Sequence, residues 1–221
     1  MARARNVFGG KASNIVRVVL VECPKTASLR TIAKKAGVAL GWASKISKEL
    51  IAERYAIRDS KRSELKLMNP LALLKRWASF NNFTANTKFL EYYSSEEDIL
   101  KFISSFNGKR GPEYAFTVLA GALLVAPFVR PSNIHVYVKS EEDARKWAKL
   151  LGLSPVEENG NVKFAIPGNA GVFYGATQVN GVNVVSDVQL YVDLLNYPAR
   201  GEDAAGVIYK KIEKRWLAAK R

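Results

Sequence analysis

The chain has little of what metal and redox chemistry usually draws on. It holds one cysteine, Cys23, one histidine, His135, and two methionines in 221 residues. A single thiol excludes an internal disulfide and a cysteine-rich zinc site. Cys23 follows the apolar residues Ile15, Val16, Val18, Val19 and Leu20 and precedes Pro24, so it reads as a small buried thiol at a helix end. His135 lacks an identifiable partner for work as a triad base and reads as a satisfied strand residue. Long apolar runs are missing too. The longest, residues 116–129, carries Thr117, several small residues and Pro127, and is too short to span a bilayer. No leading stretch has the pattern of a signal peptide. There is no internal repeat and no low-complexity linker. These absences predict a cytoplasmic protein with no membrane segment, metal or cofactor.

Acidic residues are scarce in one part of the chain only. Residues 1–77 carry 17 Lys and Arg against 5 Asp and Glu, an excess of +12; residues 78–221 carry 17 against 15, an excess of +2. A merely solvated basic surface has no reason to segregate in this way, whereas a surface that meets a polyanion does. The asymmetry also favours two domains, residues 1–69 and 70–221. An apolar fraction of 48% is ample for packed cores.

Residues 28–68 read as two short helices, a tight turn and a basic hairpin, the order of a winged helix-turn-helix. Apolar spacing predicts a first helix over residues 11–22, ended by Pro24. Ser28 can cap a second over 29–36, and Gly37 supplies its left-handed stop. A third runs over about 41–54, with Ala43, Ile46, Leu50 and Ile51 as its inner stripe. Trp42, Ser44, Lys45, Ser47 and Lys48 form its outer stripe. Hydroxyls and lysines at a helix start suit a major-groove reader, the former bonding phosphates or bases and the latter neutralising phosphate. Residues 55–58 and 64–68 alternate as two strands around a wing, with Arg58 before it and Lys61 and Arg62 at its tip. The predicted partner is double-stranded operator DNA. Arg3, Arg5 and Lys11 form either a basic arm or a frayed terminus. A winged helix used only for protein contact is the bland alternative, and it leaves the +12 unexplained.

The remainder reads as a mixed α+β domain. Pro70 opens a connecting helix over 70–80. Residues 83–93 read as extended. Ser95 with Asp98 suggests a capping box opening a helix over 96–106. Residues 114–126 read as a buried helix, 133–139 as a strand, and 141–151 as a helix capped by Ser140 and stopped by Gly152. Short strands follow over 162–166, 171–174 and 181–185. Ser186 opens a helix to residue 196, and a last helix runs over 201–219. Trp147, Trp216, Tyr174, Tyr191 and Tyr197 are expected in the core. Lys210, Lys211, Lys214, Arg215, Lys220 and Arg221 make the last helix basic, either a second DNA contact or a solvated face. Gln189 and Asp193, four apart on one helix face, form with Arg200 and Glu202 a candidate cluster. Asp193 and Arg200 are expected to pair across the Pro198 turn. Both a structural clamp and a ligand or partner site remain open for it.

Three segments together resemble a known family: residues 114–137 (YAFTVLAGALLVAPFVRPSNIHVY), 185–205 (VSDVQLYVDLLNYPARGEDAA) and 69–77 (NPLALLKRW). They are similar to AbiEi-type antitoxins of type IV toxin–antitoxin systems, over nearly the whole chain. The resemblance implies a DNA-binding transcriptional regulator that represses its own operon, with a nucleotidyltransferase-like toxin as partner. Residues 119–139 also resemble a nucleotidyltransferase core, in which a Gly-containing helix start precedes a strand carrying Asp-x-Asp. Gly121 is present, but the strand offers Asn133, Ile134, His135, Val136 and Tyr137 and no carboxylate. Paired carboxylates hold the divalent ions of that chemistry, and Asn brings no charge. Glu141, Glu142 and Asp143 are explained by the first turn of a helix. The expected fold is therefore a winged helix-turn-helix followed by a degenerate nucleotidyltransferase-like α+β domain without catalytic residues. The alternatives are a divergent nucleotidyltransferase and a low-specificity DNA binder with no toxin partner.

Overall fold

Helix α1 (Gly10–Glu22) opens the chain, with Ala12, Ile15, Val16 and Val19 buried at the expected spacing. The computed structural model describes residues 7–60, 64–127, 130–198 and 200–218. Helix α2 (Leu29–Ala36) begins where the Ser28 hydroxyl accepts the Thr31 N–H at 3.1 Å. It ends at Gly37, φ +62°, whose N–H returns to the Ala33 and Lys34 carbonyls. Helix α3 (Leu40–Ala52) follows. Strands β1 (Ala56–Ile57) and β2 (Lys66–Leu67) pair antiparallel, with Ala56 opposite Leu67, and Ala27 bridges Leu65 beside them. Helix α4 (Pro70–Phe80) buries Leu73, Leu74 and Trp77.

The following elements are β3 (Thr87–Tyr93), α5 (Ile99–Ser104), β4 (Tyr114–Thr117), α6 (Val118–Val125), β5 (Ile134–Val138), α7 (Glu141–Leu151), β6 (Ser154–Pro155), β7 (Val162–Pro167), a 3₁₀ turn (Ala170–Phe173), β8 (Thr177–Val179), β9 (Val182–Val184), α8 (Asp187–Leu194) and α9 (Gly201–Ala218). Among the described residues β3 to β9 form one mixed sheet in the order β6-β3-β7-β5-β4-β9-β8. The central pair β5–β7 is parallel, with Val136 opposite Phe164. Strand β4 pairs antiparallel with β5 and parallel with β9.

Both sheet faces are covered, and side chains alternate between two cores. Phe116, Val136, Val138 and Phe164 pack with Phe106 and Trp147 on one side. Ala115, Tyr137 and Ala165 belong to the other core, which also takes Ile15 and Leu20 of α1, Trp77 of α4, Leu190 and Leu194 of α8 and Trp216 of α9. Apolar burial is therefore continuous from the basic helices into the α+β part. Trp147, Trp216 and Tyr191 are buried, and Tyr174 and Tyr197 are half-buried.

Several expectations are corrected. Residues 114–126 are not one helix: β4 passes into α6 at Val118, a residue at φ +45°. A strand buried on both faces shows no polar alternation, so its apolar run is indistinguishable from a buried helix by pattern. The strand expected over residues 171–174 is not formed: residues 171–173 belong to the 3₁₀ turn and Tyr174 caps its end. The cap of α5 is Asp98, which accepts the Leu100 and Lys101 N–H groups at 2.9 and 3.1 Å, so the helix starts at Ile99. Strands β6 and β8 had no strong sequence signal.

Candidate nucleic-acid interface

The α2–α3 pair presents one buried and one open face. Ala43, Ile46, Ser47 and Leu50 of α3 are buried. Trp42 is 45% exposed, and Leu40 at the helix start and Lys48 are exposed as well. Ser44 and Lys45 are half-buried. Lys45 Nζ lies 5.3 Å from the Trp42 ring centroid, a cation–π contact that tethers the two outward groups together. Ser47 is corrected from the outer to the inner stripe. It stands four residues after Ala43 and one after Ile46, so the 3.6-residue period turns it inward, where its hydroxyl finds no hydrogen-bond partner among the described residues. Ile51, expected inside, is 36% exposed. Arg58 follows β1 and is half-buried. The wing tip, Lys61 and Arg62, lies outside the described residues, as do Arg3, Arg5, Lys220 and Arg221.

Ion pairing differs along the chain. Lys45 and Lys48 have no acidic partner among the described residues. From β3 onward many cations are matched: Lys88 with Glu141 at 2.5 Å, Lys101 with Glu96 at 2.7 Å, Lys139 with Glu113 at 2.6 Å and Lys163 with Glu91 at 2.7 Å. On α9, Lys211 and Arg215 both reach Asp187 at 3.3 Å, which neutralises part of that basic helix. Uncompensated positive charge on the α3 face is the electrostatic condition for meeting phosphate.

The candidate cluster on α8 divides. Gln189 and Asp193 are 2% and 1% exposed and joined by Gln189 Nε2 to Asp193 Oδ1 at 2.8 Å. Arg200 and Glu202 are exposed and stand apart from them; Arg200 Nε bonds Asp203 Oδ2 at 3.2 Å, so the expected Asp193–Arg200 pair is replaced by this local one. The partner of Asp193 comes from the other end of the chain. Arg17 of α1, 3% exposed, donates through Nε to Gln189 Oε1 and through Nη1 to Asn14 Oδ1, both at 2.7 Å, and lies over the Trp77 ring. Thr117 at the end of β4 donates to Asp193 Oδ2 at 2.7 Å, and Tyr137 also hydrogen-bonds this carboxylate. Burial pushes Asp193 up to about 6 despite its three donors and the Arg17 charge. Burial likewise lowers Arg17 to about 10, with Asp193 and Tyr137 opposing. The Tyr137 phenol is driven well above 10 by burial and by the carboxylate beside it. Arg17 and Tyr137 were missed in the sequence. The available signal was a lone Arg inside the run Ile15-Val16-Arg17-Val18-Val19-Leu20, where a helix buried all round leaves no route to water.

His135 on β5 is 3% exposed and lies edge-on to Phe83, Phe89 and Tyr197. Burial, with the Lys163 charge adding, lowers it to about 4, so it is neutral at physiological pH. Among the described residues no group of three or more His, Cys, Asp and Glu is placed to hold a metal ion, and no helix is long and apolar enough to cross a membrane.

A family model described as the transcriptional regulator AbiEi antitoxin of a type IV toxin–antitoxin system matches residues 66–214. The match begins in β2 and leaves α1 to α3 outside it. No curated protein and no solved structure matches the chain. With two thirds of its length matched, from β2 through the sheet to α9, this chain belongs to the AbiEi family of antitoxins and transcriptional regulators of type IV toxin–antitoxin systems.

Proposed function

We propose that the protein binds operator DNA through residues 1–69 as a winged helix-turn-helix and represses its own operon. Residues 70–221 then act as the antitoxin and regulatory part, a nucleotidyltransferase-like domain without catalysis whose partner is a nucleotidyltransferase-like toxin. The observation that carries the DNA-binding reading is the α3 face: Trp42 and Lys48 exposed, Lys45 held against the indole, and neither lysine matched by an acid among the described residues. Its setting in a segment of net +12 supports the same reading. The inactive reading rests on β5, whose residues Ile134 to Val138 include no carboxylate where paired metal-binding acids would be required.

Gel shifts with the protein's own promoter, competed by random duplex, test the regulator. A large specificity ratio is expected. Affinity should fall steeply with salt, with a log–log slope of about −0.9 per phosphate contacted. Lys45→Ala and Lys48→Ala should each lower the slope by about 1 and weaken binding across sequences. Duplex binding indifferent to salt contradicts the proposal, and magnesium-dependent nucleotide transfer by the purified chain ends the inactive reading.

A further inference from the structure

We propose that the open cavity lined by α1, α4, α8 and the sheet binds a small, uncharged, planar heterocycle of nucleobase or nucleoside size, with hydrogen-bond donors and acceptors on its edge. The cavity holds about 340 Å³, within the range of small-molecule sites, about 300–1,000 Å³. Its polar wall is the Arg17–Gln189–Asp193 network. Arg17 uses Nε and Nη1, and its Nη2 donates no hydrogen bond to any described residue. A ligand carbonyl or ring nitrogen placed there would accept a charge-assisted hydrogen bond from the guanidinium. Asn81 and Asn169 also line the space. Asn81 commits its amino group to the Val192 carbonyl at 3.2 Å, and Asn169 commits its oxygen to the Gly171 N–H at 2.9 Å. The remaining edges are an amide oxygen on Asn81 and an amino group on Asn169, one acceptor and one donor.

Charge and shape narrow the ligand class. The Arg17 charge already faces the Asp193 carboxylate, so a charged ligand would set a third, uncompensated charge beside these two buried groups. An uncharged ring avoids that cost. Phe80, 52% exposed, stacks on Phe8 with centroids 5.4 Å apart and supplies a flat apolar wall at the cavity. A flat wall suits an aromatic ring better than a branched aliphatic group.

The experiment is calorimetric titration of the full chain with adenosine, guanosine, cytidine and uridine, with benzoate as a planar anion and glucose as a polyol. Saturable binding of at least one nucleoside, tighter than benzoate and glucose, is expected. Asn169→Ala and Phe80→Ala should each weaken it about tenfold, and Lys146→Ala, on α7, should leave it unchanged. These rim positions are chosen because truncating Arg17 also strips Asp193 of its counter-charge. Circular dichroism checks that each variant is folded. No saturable binding by any of the four nucleosides, stronger binding of benzoate, or nucleoside binding that both rim variants leave unchanged overturns the proposal. Because ligand binding is read directly, the result is independent of whether α3 binds DNA.

Discussion

Asp193 and His135 titrate over the same pH range with opposite effects. The Asp193 carboxyl is raised from 3.8 to about 6, and the His135 imidazole is lowered from 6.5 to about 4, burial leading in both. Each shift corresponds to about 3 kcal/mol. A raised carboxyl favours the folded state fully below pH 3.8, and that contribution is lost as pH rises through 6. A lowered imidazole favours it fully above 6.5, and that contribution is lost as pH falls towards 4. The two therefore nearly cancel between pH 4 and 6.5. Urea unfolding of His135→Phe should show its stability relative to wild type rising by about 3 kcal/mol from pH 6.5 to 4. Asp193→Asn should gain by a similar amount relative to wild type from pH 4 to 7. Flat difference profiles would refute the shifts. At Ser47 a buried hydroxyl lacks a partner among the described residues, so Ser47→Ala should stabilise by about 1 kcal/mol in thermal melts and leave DNA affinity unchanged, while Lys48→Ala weakens it. Sequence alone put both residues on one outer stripe. Helical phase separates them, and a small hydroxyl carries no hydrophobic signal from which that phase can be read.

Helix ends were the most legible elements. Ser28, Ser140 and Ser186 each accept the N–H three residues on, at 3.1 to 3.2 Å, and Gly37 and Gly152 close their helices in the left-handed region. These are local interactions written within four residues. Gly37→Ala tests one of them. No atom lies within 4 Å of where a Cβ would sit, so the cost is purely conformational, about 1 kcal/mol at φ +62°. A melting temperature that rises would contradict the left-handed cap. Strand β4 was illegible for the opposite reason. Its identity depends on β5 and β9 alongside it and on helices covering both faces, and none of that is encoded within its four residues.

At the scale of the molecule, Arg17 joins the two ends of the chain. It is buried against Asp193, 176 positions later in sequence, through Gln189. Arg17→Ala should destabilise by about 3–5 kcal/mol, because a carboxylate is left buried without its counter-charge. The shared core of α1, α4, α8 and α9 leads us to expect one unfolding transition, with tryptophan fluorescence and far-ultraviolet circular dichroism coinciding. Separate transitions would show that the basic helices and the sheet unfold independently.

The order of amino acids determined the helix boundaries, the segregation of positive charge and the resemblance to the family, since each depends on residue type over a short span or on a simple sum. Tertiary structure alone decided which acid Arg17 opposes, that Arg200 turns to Asp203 and away from Asp193, and that a polar cavity lies between α1 and the sheet. Such pairings depend on how separate elements meet in space, and no local propensity carries that information.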